Sequence, residues 1–347
     1  MKCFENCNVL SAMSGGVDSS CVAAILKKYG ISVSGVTFKL FENQNNSISD
    51  ARNVAKILGI EHMVWDLSEK FRKDVIDLFV KKYLSGITPN PCVICNKKIK
   101  FGEALRKARE LGYTHLSTGH YANVTYDENS GRFLVKKSKT SKDQSYCLYT
   151  LNQEQLSHVI LPLADTEKSE VRKLAKSMNL PVHDKPESQD ICFVDSNYRD
   201  FIKKYKKDLD LAGDFVDEDD NFLGRHNGIH NYTVGQRRKL GISLGDRAYI
   251  KSIDVLSKKI TISRKTLPTN DVLFAKKLNF IPFDKLKTRM KVLAKIRYNC
   301  EEVLSTITLI DEDKVEVKFE KEVKFIAPGQ SVVFYDEDIL VGGGIII

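Results

Sequence analysis

Three short stretches of this 347-residue chain carry residue types at spacings that suit covalent chemistry. Ser14-Gly15-Gly16-Val17-Asp18-Ser19 sets two glycines, two hydroxyls and a carboxylate directly after an apolar run. Glycines let backbone amides approach an anion closely, and a helix start that follows favours negative charge. No Gly-Lys-Ser/Thr is present here, so this is not the loop that handles the β- and γ-phosphates in kinases and GTPases. The second stretch, Asn90-Pro91-Cys92-Val93-Ile94-Cys95-Asn96-Lys97-Lys98, leads two thiols into a helix with lysines just beyond. A helix dipole and neighbouring lysines both lower a thiol pKa, which predicts a reactive thiolate at Cys95. The same CxxC spacing also suits half a zinc site, but a zinc site needs two more ligands and no second CxxC or His pair exists. Cys192 could supply a third ligand, so a three-cysteine cluster on Cys92, Cys95 and Cys192 stays open. Cys192 itself lies in the third stretch, Glu187-Ser188-Gln189-Asp190-Ile191-Cys192-Phe193, whose polar flank argues for a loop at the rim of a site. Among the other cysteines, Cys21 in an apolar helical run and Cys147 among Tyr and Leu read as packing residues.

Such residues need a scaffold that holds loops above a rigid sheet. Between residues 8 and 120, short β-branched or apolar runs alternate with stretches of helical periodicity. Asn8–Met13, Ile31–Phe38, Glu61–Trp65 and His115–Thr118 read as strands; Asp18–Tyr29, Ser47–Leu58, Glu69–Leu84 and Lys97–Leu111 read as helices. Gly30, Gly59 and Gly112 follow three of those helices, where a left-handed cap is wanted. This alternation implies an α/β domain, a doubly wound parallel sheet with helices on both faces. Asp165–Met178 reads as one more helix before a polar stretch with Pro181 and Pro186. From Tyr198 the rhythm changes: a basic amphipathic helix, Tyr198–Leu211, precedes short β segments such as Arg247–Ile253 and Lys259–Ser263. Farther on, Val292–Arg297, Leu304–Ile310, Lys314–Phe319 and Ser331–Tyr335 alternate as in a small antiparallel β-barrel. Three modules follow: a catalytic α/β domain over 1–197, a small central domain over 198–269 and a C-terminal barrel over 270–347.

Composition narrows the class. With 42% hydrophobic and 29% charged residues the chain can bury sizeable cores. No run approaches the roughly 18 apolar residues of a membrane helix, and the N-terminus lacks a signal-peptide pattern, so a cytoplasmic protein without a membrane partner is expected. Eight cysteines spread over this length do not form a disulfide scaffold. A net charge of +9 is compatible with a polyanionic partner and does not establish one. Lys136-Lys137-Ser138-Lys139, Gln236-Arg237-Arg238-Lys239 and the lysines Lys203, Lys204, Lys206 and Lys207 could neutralise phosphates or be solvated faces. His62, His158 and His183 show no ligand spacing and read as structural.

The glycine loop matches the SGGxDS loop of the PP-loop ATP pyrophosphatases, which implies ATP cleaved between its α- and β-phosphates and AMP moved to a substrate oxygen. Taken with the two cysteine stretches, the chain resembles the bacterial and organellar tRNA-specific 2-thiouridylases, which make 2-thiouridine at the wobble position of certain anticodons. Further matching pieces recur in order along nearly the whole chain: Thr118-Gly119-His120-Tyr121, Lys142-Asp143-Gln144-Ser145-Tyr146, Thr233-Val234-Gly235-Gln236-Arg237-Arg238, Arg297-Tyr298 and Ala327-Pro328-Gly329-Gln330.

That resemblance implies roles for matching positions. Ala12, Met13, Ser14, Gly15, Gly16, Val17, Asp18 and Ser19 would hold ATP phosphates, with Mg2+, and Phe38 and Gly119 would lie near the adenosine. Asn90, Pro91 and Cys92 would contact the target base, Cys95 would be the nucleophile and Cys192 would receive persulfide sulfur. His120, Lys142, Asp143, Gln144, Arg297, Tyr298 and Gln330 fall where the family touches tRNA. A persulfide donor or relay protein would supply sulfur. One departure stands out: many relatives carry Asp where this chain has Cys92. Two rival classes share part of these signals. A PP-loop ligase or amidotransferase with a nitrogen nucleophile needs no paired cysteines, and a non-catalytic RNA- or cluster-binding module needs no intact glycine loop.

Overall fold

The computed structural model describes residues 7–186, 191–194, 197–206, 211–242, 244, 247–264 and 269–347. Glu187, Ser188, Gln189 and Asp190 of the third motif, and Lys207 to Asp210 in the expected second half of the basic helix, lie outside the described residues.

Strands β1 (Asn8–Ala12), β2 (Ser32–Lys39), β3 (His62–Asp66) and β4 (His115–Ser117) form within two residues of the stretches the hydrophobic runs mark. A hairpin of β5 (Ala122–Asp127) and β6 (Arg132–Lys137) follows, then the short β7 (Val159–Ile160). Five of these strands make one parallel sheet in the order β3-β2-β1-β4-β7. Side chains alternate across a strand, so Val9 enters the core under the helices Val17–Lys28 and Asn45–Leu58, while Leu10 enters the opposite core. The opposite core is roofed by two long helical runs, 68–84 and 91–110. Both faces are covered, as the doubly wound reading requires. Gly30, Gly59 and Gly112 all adopt positive φ at the helix ends.

Two differences from the sequence reading bear on the site. The second run begins at Pro91, six residues before the expected Lys97, because Asn90 caps it and Pro91 takes the first helical position. Its stretch Asn96–Ala104 is π-helical, with hydrogen bonds between residues five apart, so each turn is wider than in an α-helix and residues four and five apart share a face. Hydrophobic periodicity alone does not reveal that change of winding.

The middle of the chain folds into a four-stranded sheet of β8 (Gly213–Val216), β9 (Phe222–His226), β10 (Tyr249–Asp254) and β11 (Lys259–Ser263), ordered β10-β11-β8-β9. Phe215, Ile229, Ile250, Ile260 and Ile262 fill its small core. Strands β12 (Thr269–Phe280), β13 (Arg289–Lys295), β14 (Val303–Asp311), β15 (Lys314–Lys324), β16 (Ser331–Asp336) and β17 (Ile339–Ile346) close into an antiparallel barrel through the β12–β17 pairing. The β5–β6 hairpin docks on this barrel at Ile339 and Lys136. Residues 86–90 form a junction of all three parts. Thr88 accepts at its carbonyl from Gln330 Nε2 at 3.0 Å and donates its amide to Pro328 O at 3.1 Å, and its hydroxyl lies 3.3 Å from that of Thr233. Among the described residues, no helix is long and apolar enough to cross a membrane.

Candidate active site

The carboxyl ends of β1, β2 and β4 open into a cavity of roughly 360 Å³. Parallel sheets present ligands at this edge because the loops and helix starts converge there. One end is built by the glycine loop. Gly15 has φ +71°, and a Cβ there would lie 2.3 Å from Ser47 O, so the turn admits only glycine. Ser19 Oγ accepts from the Ser14 amide at 3.0 Å and lies 3.1 Å from Ser14 Oγ, which closes the loop on itself. No side chain caps the first turn of the helix Val17–Lys28. Asp18 is held from two sides: Tyr121 donates its hydroxyl at 2.6 Å, and Lys168 Nζ reaches both carboxylate oxygens at 2.6 Å. Lys185 Nζ donates to Gly15 O at 3.0 Å and to Asp50 at 2.7 Å. Phe38 stacks on Trp65 and lines the wall, and Gly119 passes so near Ser19 that a Cβ would meet its amide at 3.0 Å.

The other end carries the thiols. Cys92, Cys95 and Cys192 all line the same cavity, together with Pro91, Lys100, His120 and Gln144. Cys192 is exposed, although it sits between two apolar residues. Phe193 explains this: it turns inward and packs edge-on against Phe71, Phe79 and Phe201, which fixes its strap and leaves Cys192 facing the cavity. Cys95 is buried, and burial pushes its thiol up to about 12, opposite to the thiolate the sequence implies. The reason is geometric. Lys97 and Lys98 point outward, and Lys98 pairs with Asp74 at 3.2 Å. Among the described residues only Lys100 brings a positive charge to bear on Cys95, and it opposes the burial without overcoming it. Burial also raises Cys92 and Cys192, even though both present surface to the cavity. Desolvation holds the buried His120 well below its ordinary value, so this imidazole is neutral at pH 7. Its Nδ1 lies 2.6 Å from the Thr118 hydroxyl.

Other sequence-derived residues fall outside the cavity lining. Asn90 caps the cysteine helix by accepting from the Val93 amide at 3.3 Å. Asp143 organises its own turn, accepting from the amides of Ser138 and Ser145 at 2.9 and 3.2 Å, while its carbonyl takes the Tyr298 hydroxyl at 3.0 Å. Lys142 sits beside them, its amide on Thr140 Oγ1. Arg297 is half-buried between the central module and the barrel, donating to Val234 O at 3.3 Å over the Phe325 ring. Gln330 holds the carbonyls of Thr88 and Pro89. The run at 136–139 is tied up by acids: Lys136 with Asp338, Lys137 with Glu302 and Lys139 with Asp165. Cys21 is fully buried, as its helical run implied. Residues missed by the sequence reading include Lys100, Lys168 and Lys185; only Lys100 lies close to the cysteine stretch, and its turn towards Cys95 depends on the π winding.

The residues present do not make a protein metal site. Among the described residues Asp18 carries the one carboxylate on the cavity wall, and Lys168 and Tyr121 occupy it. Among the described residues no group of three His, Cys, Asp or Glu side chains is arranged to hold a metal ion. The described side chains therefore give neither Mg2+ nor an iron-sulfur cluster a full set of protein ligands.

A glycine-loop helix start at the edge of a parallel sheet, with paired cysteines across one cavity, defines a nucleotide-handling α/β enzyme that carries an accessory β-barrel. The family models agree: residues 7–196 match the tRNA methyl transferase HUP domain, 199–264 the tRNA methyl transferase PRC-barrel domain and 270–346 the aminomethyltransferase beta-barrel domain. The tRNA-specific 2-thiouridylase MnmA of Caldicellulosiruptor saccharolyticus is 46% identical over 353 residues, covering 97% of this chain and 98% of that protein. MnmA 2 of Thermoanaerobacter pseudethanolicus is 48% identical over 356 residues, with 98% of each covered. The chain belongs to the tRNA-specific 2-thiouridylase family, and it is an enzyme. Solved structures align more loosely: NMN synthetase from Francisella tularensis superposes with a TM-score of 0.36 at 16% identity, over 57% of this chain and 76% of that one.

Proposed function

We propose that this enzyme adenylates the 2-carbonyl oxygen of the wobble uridine of tRNA and replaces that oxygen with persulfide sulfur. The observation that carries the reading is a single cavity with the glycine loop at one end and Cys92, Cys95 and Cys192 at the other. A carbonyl oxygen leaves badly, and joining it to AMP makes it a good leaving group while pyrophosphate departs along the glycine loop. Cys192, loaded as Cys–S–SH by a donor or relay protein, attacks the activated carbon through its terminal sulfur, and AMP leaves. The Cys95 thiolate then attacks the Cys192 sulfur and breaks the S–S bond to the transferred atom. The products are 2-thiouridine and a Cys95–Cys192 disulfide, so two thiols are oxidised as the persulfide sulfur is reduced. An external dithiol resets them. Phe38 and Gly119 flank the adenosine in this reading, and Pro91, Cys92, His120 and Gln144 surround the target base. The modules at 198–269 and 270–347 hold the rest of the tRNA, and the enzyme works in the cytoplasm.

The test is a tRNA-dependent reaction with ATP and a persulfide donor in iron-free buffer. AMP, pyrophosphate and 2-thiouridine are expected in equal amounts. ADP as the main nucleotide product, or strict dependence on added iron, would overturn the reading.

A further inference from the structure

The relay requires Cys95 to react as a thiolate, yet burial drives that thiol towards the neutral form. Something at the thiol end must offset this. Among the described residues the cavity offers two ionisable nitrogen side chains there, His120 and Lys100. Desolvation keeps the His120 imidazole uncharged, so the Lys100 ammonium is the positive charge that faces the thiols. Its position follows from the local winding. In an α-helix Lys98 and Ile99 would share the face of Cys95. Across the π-helical stretch Asn96–Ala104 the wider turn brings the positions four and five beyond Cys95 onto its side: Ile99 stays in the same core, and Lys100 comes round to the cavity wall with Cys95. Among the described residues Lys100 has no carboxylate partner, whereas Lys98 and Lys168 each have one.

We propose that Lys100 is a positioning residue of the thiol relay, holding charge beside Cys95 so that its thiolate, and the persulfide anion on Cys192, can form inside the cavity. The proposal rests on the assignment of Cys95 and Cys192 to the relay. Among the described residues the titratable groups around Lys100 are Cys92, Cys95, Cys192 and His120 on the wall, Cys147 behind them, and Asp18 at the nucleotide end. Asp143, Lys295 and Tyr298 lie beyond Cys147. Asp18 is engaged by Lys168 and Tyr121, so it does not draw off the Lys100 charge. The π-helical winding brings a cation to the wall that carries the thiol, while Asn90 and Pro91 fix the start of the same helix.

The experiment follows alkylation of the Cys95 peptide by iodoacetamide against pH, by mass spectrometry, in the full-length enzyme, Lys100→Met and Lys100→Arg. Cys300, in the barrel outside the cavity, is the internal control. An opposing charge at close range is worth about one to three pH units, so alkylation of Cys95 in Lys100→Met should slow at least about tenfold at pH 8, with its profile displaced to higher pH. Lys100→Arg should recover most of the rate, and Cys300 should be unchanged. A Cys95 profile in Lys100→Met that superimposes on the parent would overturn the proposal, as would an equal displacement at Cys300. A Cys95→Ser enzyme that still thiolates tRNA would instead remove the relay itself, whatever the alkylation profiles show.

Discussion

The two ends of the cavity are built on opposite electrostatic plans. At the nucleotide end the cations among the described residues are matched: Lys168 grips Asp18, and Lys185 bridges Asp50 and Gly15. At the thiol end three cysteines and a neutral His120 face Lys100, with no carboxylate on the wall among the described residues. Paired charges cost little to hold in place and stay put when a charged ligand arrives. Unpaired thiols in a desolvated wall do the reverse: they stay neutral until something draws the proton away. The contrast suits an enzyme that must fix a polyanion first and release reactive sulfur only afterwards.

Asp18→Asn breaks the first plan most severely. It keeps the shape and the Tyr121 contact but removes the carboxylate charge that Lys168 grips at this position. AMP release and thiolation should both fall by at least about a hundredfold, the scale seen when preorganised charge is removed from a site of developing charge. Product analysis beside a melting curve separates this from unfolding. Undiminished AMP release would detach the loop from ATP chemistry.

The thiol end should break differently. Cys95→Ser and Cys192→Ser should each abolish thiolation while AMP release continues, because neither side chain belongs to the glycine loop. Labelled persulfide sulfur should load Cys192 in the Cys95→Ser enzyme and fail to load in Cys192→Ser. Loss of AMP release in both variants would mean that the two ends are not separable. pH sharpens the same contrast. The Cys95 thiol is pushed up to about 12, so its thiolate fraction grows about tenfold per unit of pH through the neutral range. Sulfur transfer from a preformed adenylate should therefore steepen with pH from 6.5 to 8.5. Parallel flat profiles for both steps would contradict a rate set by Cys95 ionisation.

The same contrast separates what could be read from the sequence. Ser14 to Ser19 is contiguous, so its strand, turn and helix start could be recognised together, and the parallel sheet followed from periodicity. The thiol end joins residues 91–100, 118–120, 144 and 191–193. Its decisive detail, Lys100 rather than Lys97 or Lys98, depends on π winding that no composition signals. The exposure of Cys192 depends on Phe193 finding an aromatic cluster from two other helices. Arg297 and Gln330 matched the family pattern, yet each makes contacts across a junction that only the packed modules reveal.

Gln330 offers a milder way to disturb the thiol end. Its amide donates to the carbonyls of Thr88 and Pro89 at 3.0 and 3.2 Å, just ahead of the cap of the cysteine helix. Removing a net hydrogen bond of about 1 kcal/mol should lower thiolation in Gln330→Ala roughly fivefold. Faster amide exchange is expected over residues 86–95, with the glycine loop unchanged. Equal loss of AMP release would show that the barrel steadies both ends alike.

The smallest effect is expected from Cys92→Asp, which installs the residue many relatives carry. Position 92 is exposed and lies in the first turn of its helix, one residue after Pro91 and two after the Asn90 cap. A carboxylate suits that place, since a negative charge in the first helical turn is worth about 0.3–1 kcal/mol. Against this, it would stand on the same wall as Lys100 and compete with Cys95 for that charge. The two effects oppose each other, and thiolation should stay within about threefold of the parent, the range set by a single exposed charge at a helix start. The competition should still be visible as a pH profile for sulfur transfer moved to higher pH, with AMP release unmoved. If Cys92→Asp were as inactive in thiolation as Cys95→Ser, Cys92 would have to be a working third thiol. The separation of roles between Cys95 and Cys192 would then give way to a site that uses all three cysteines together.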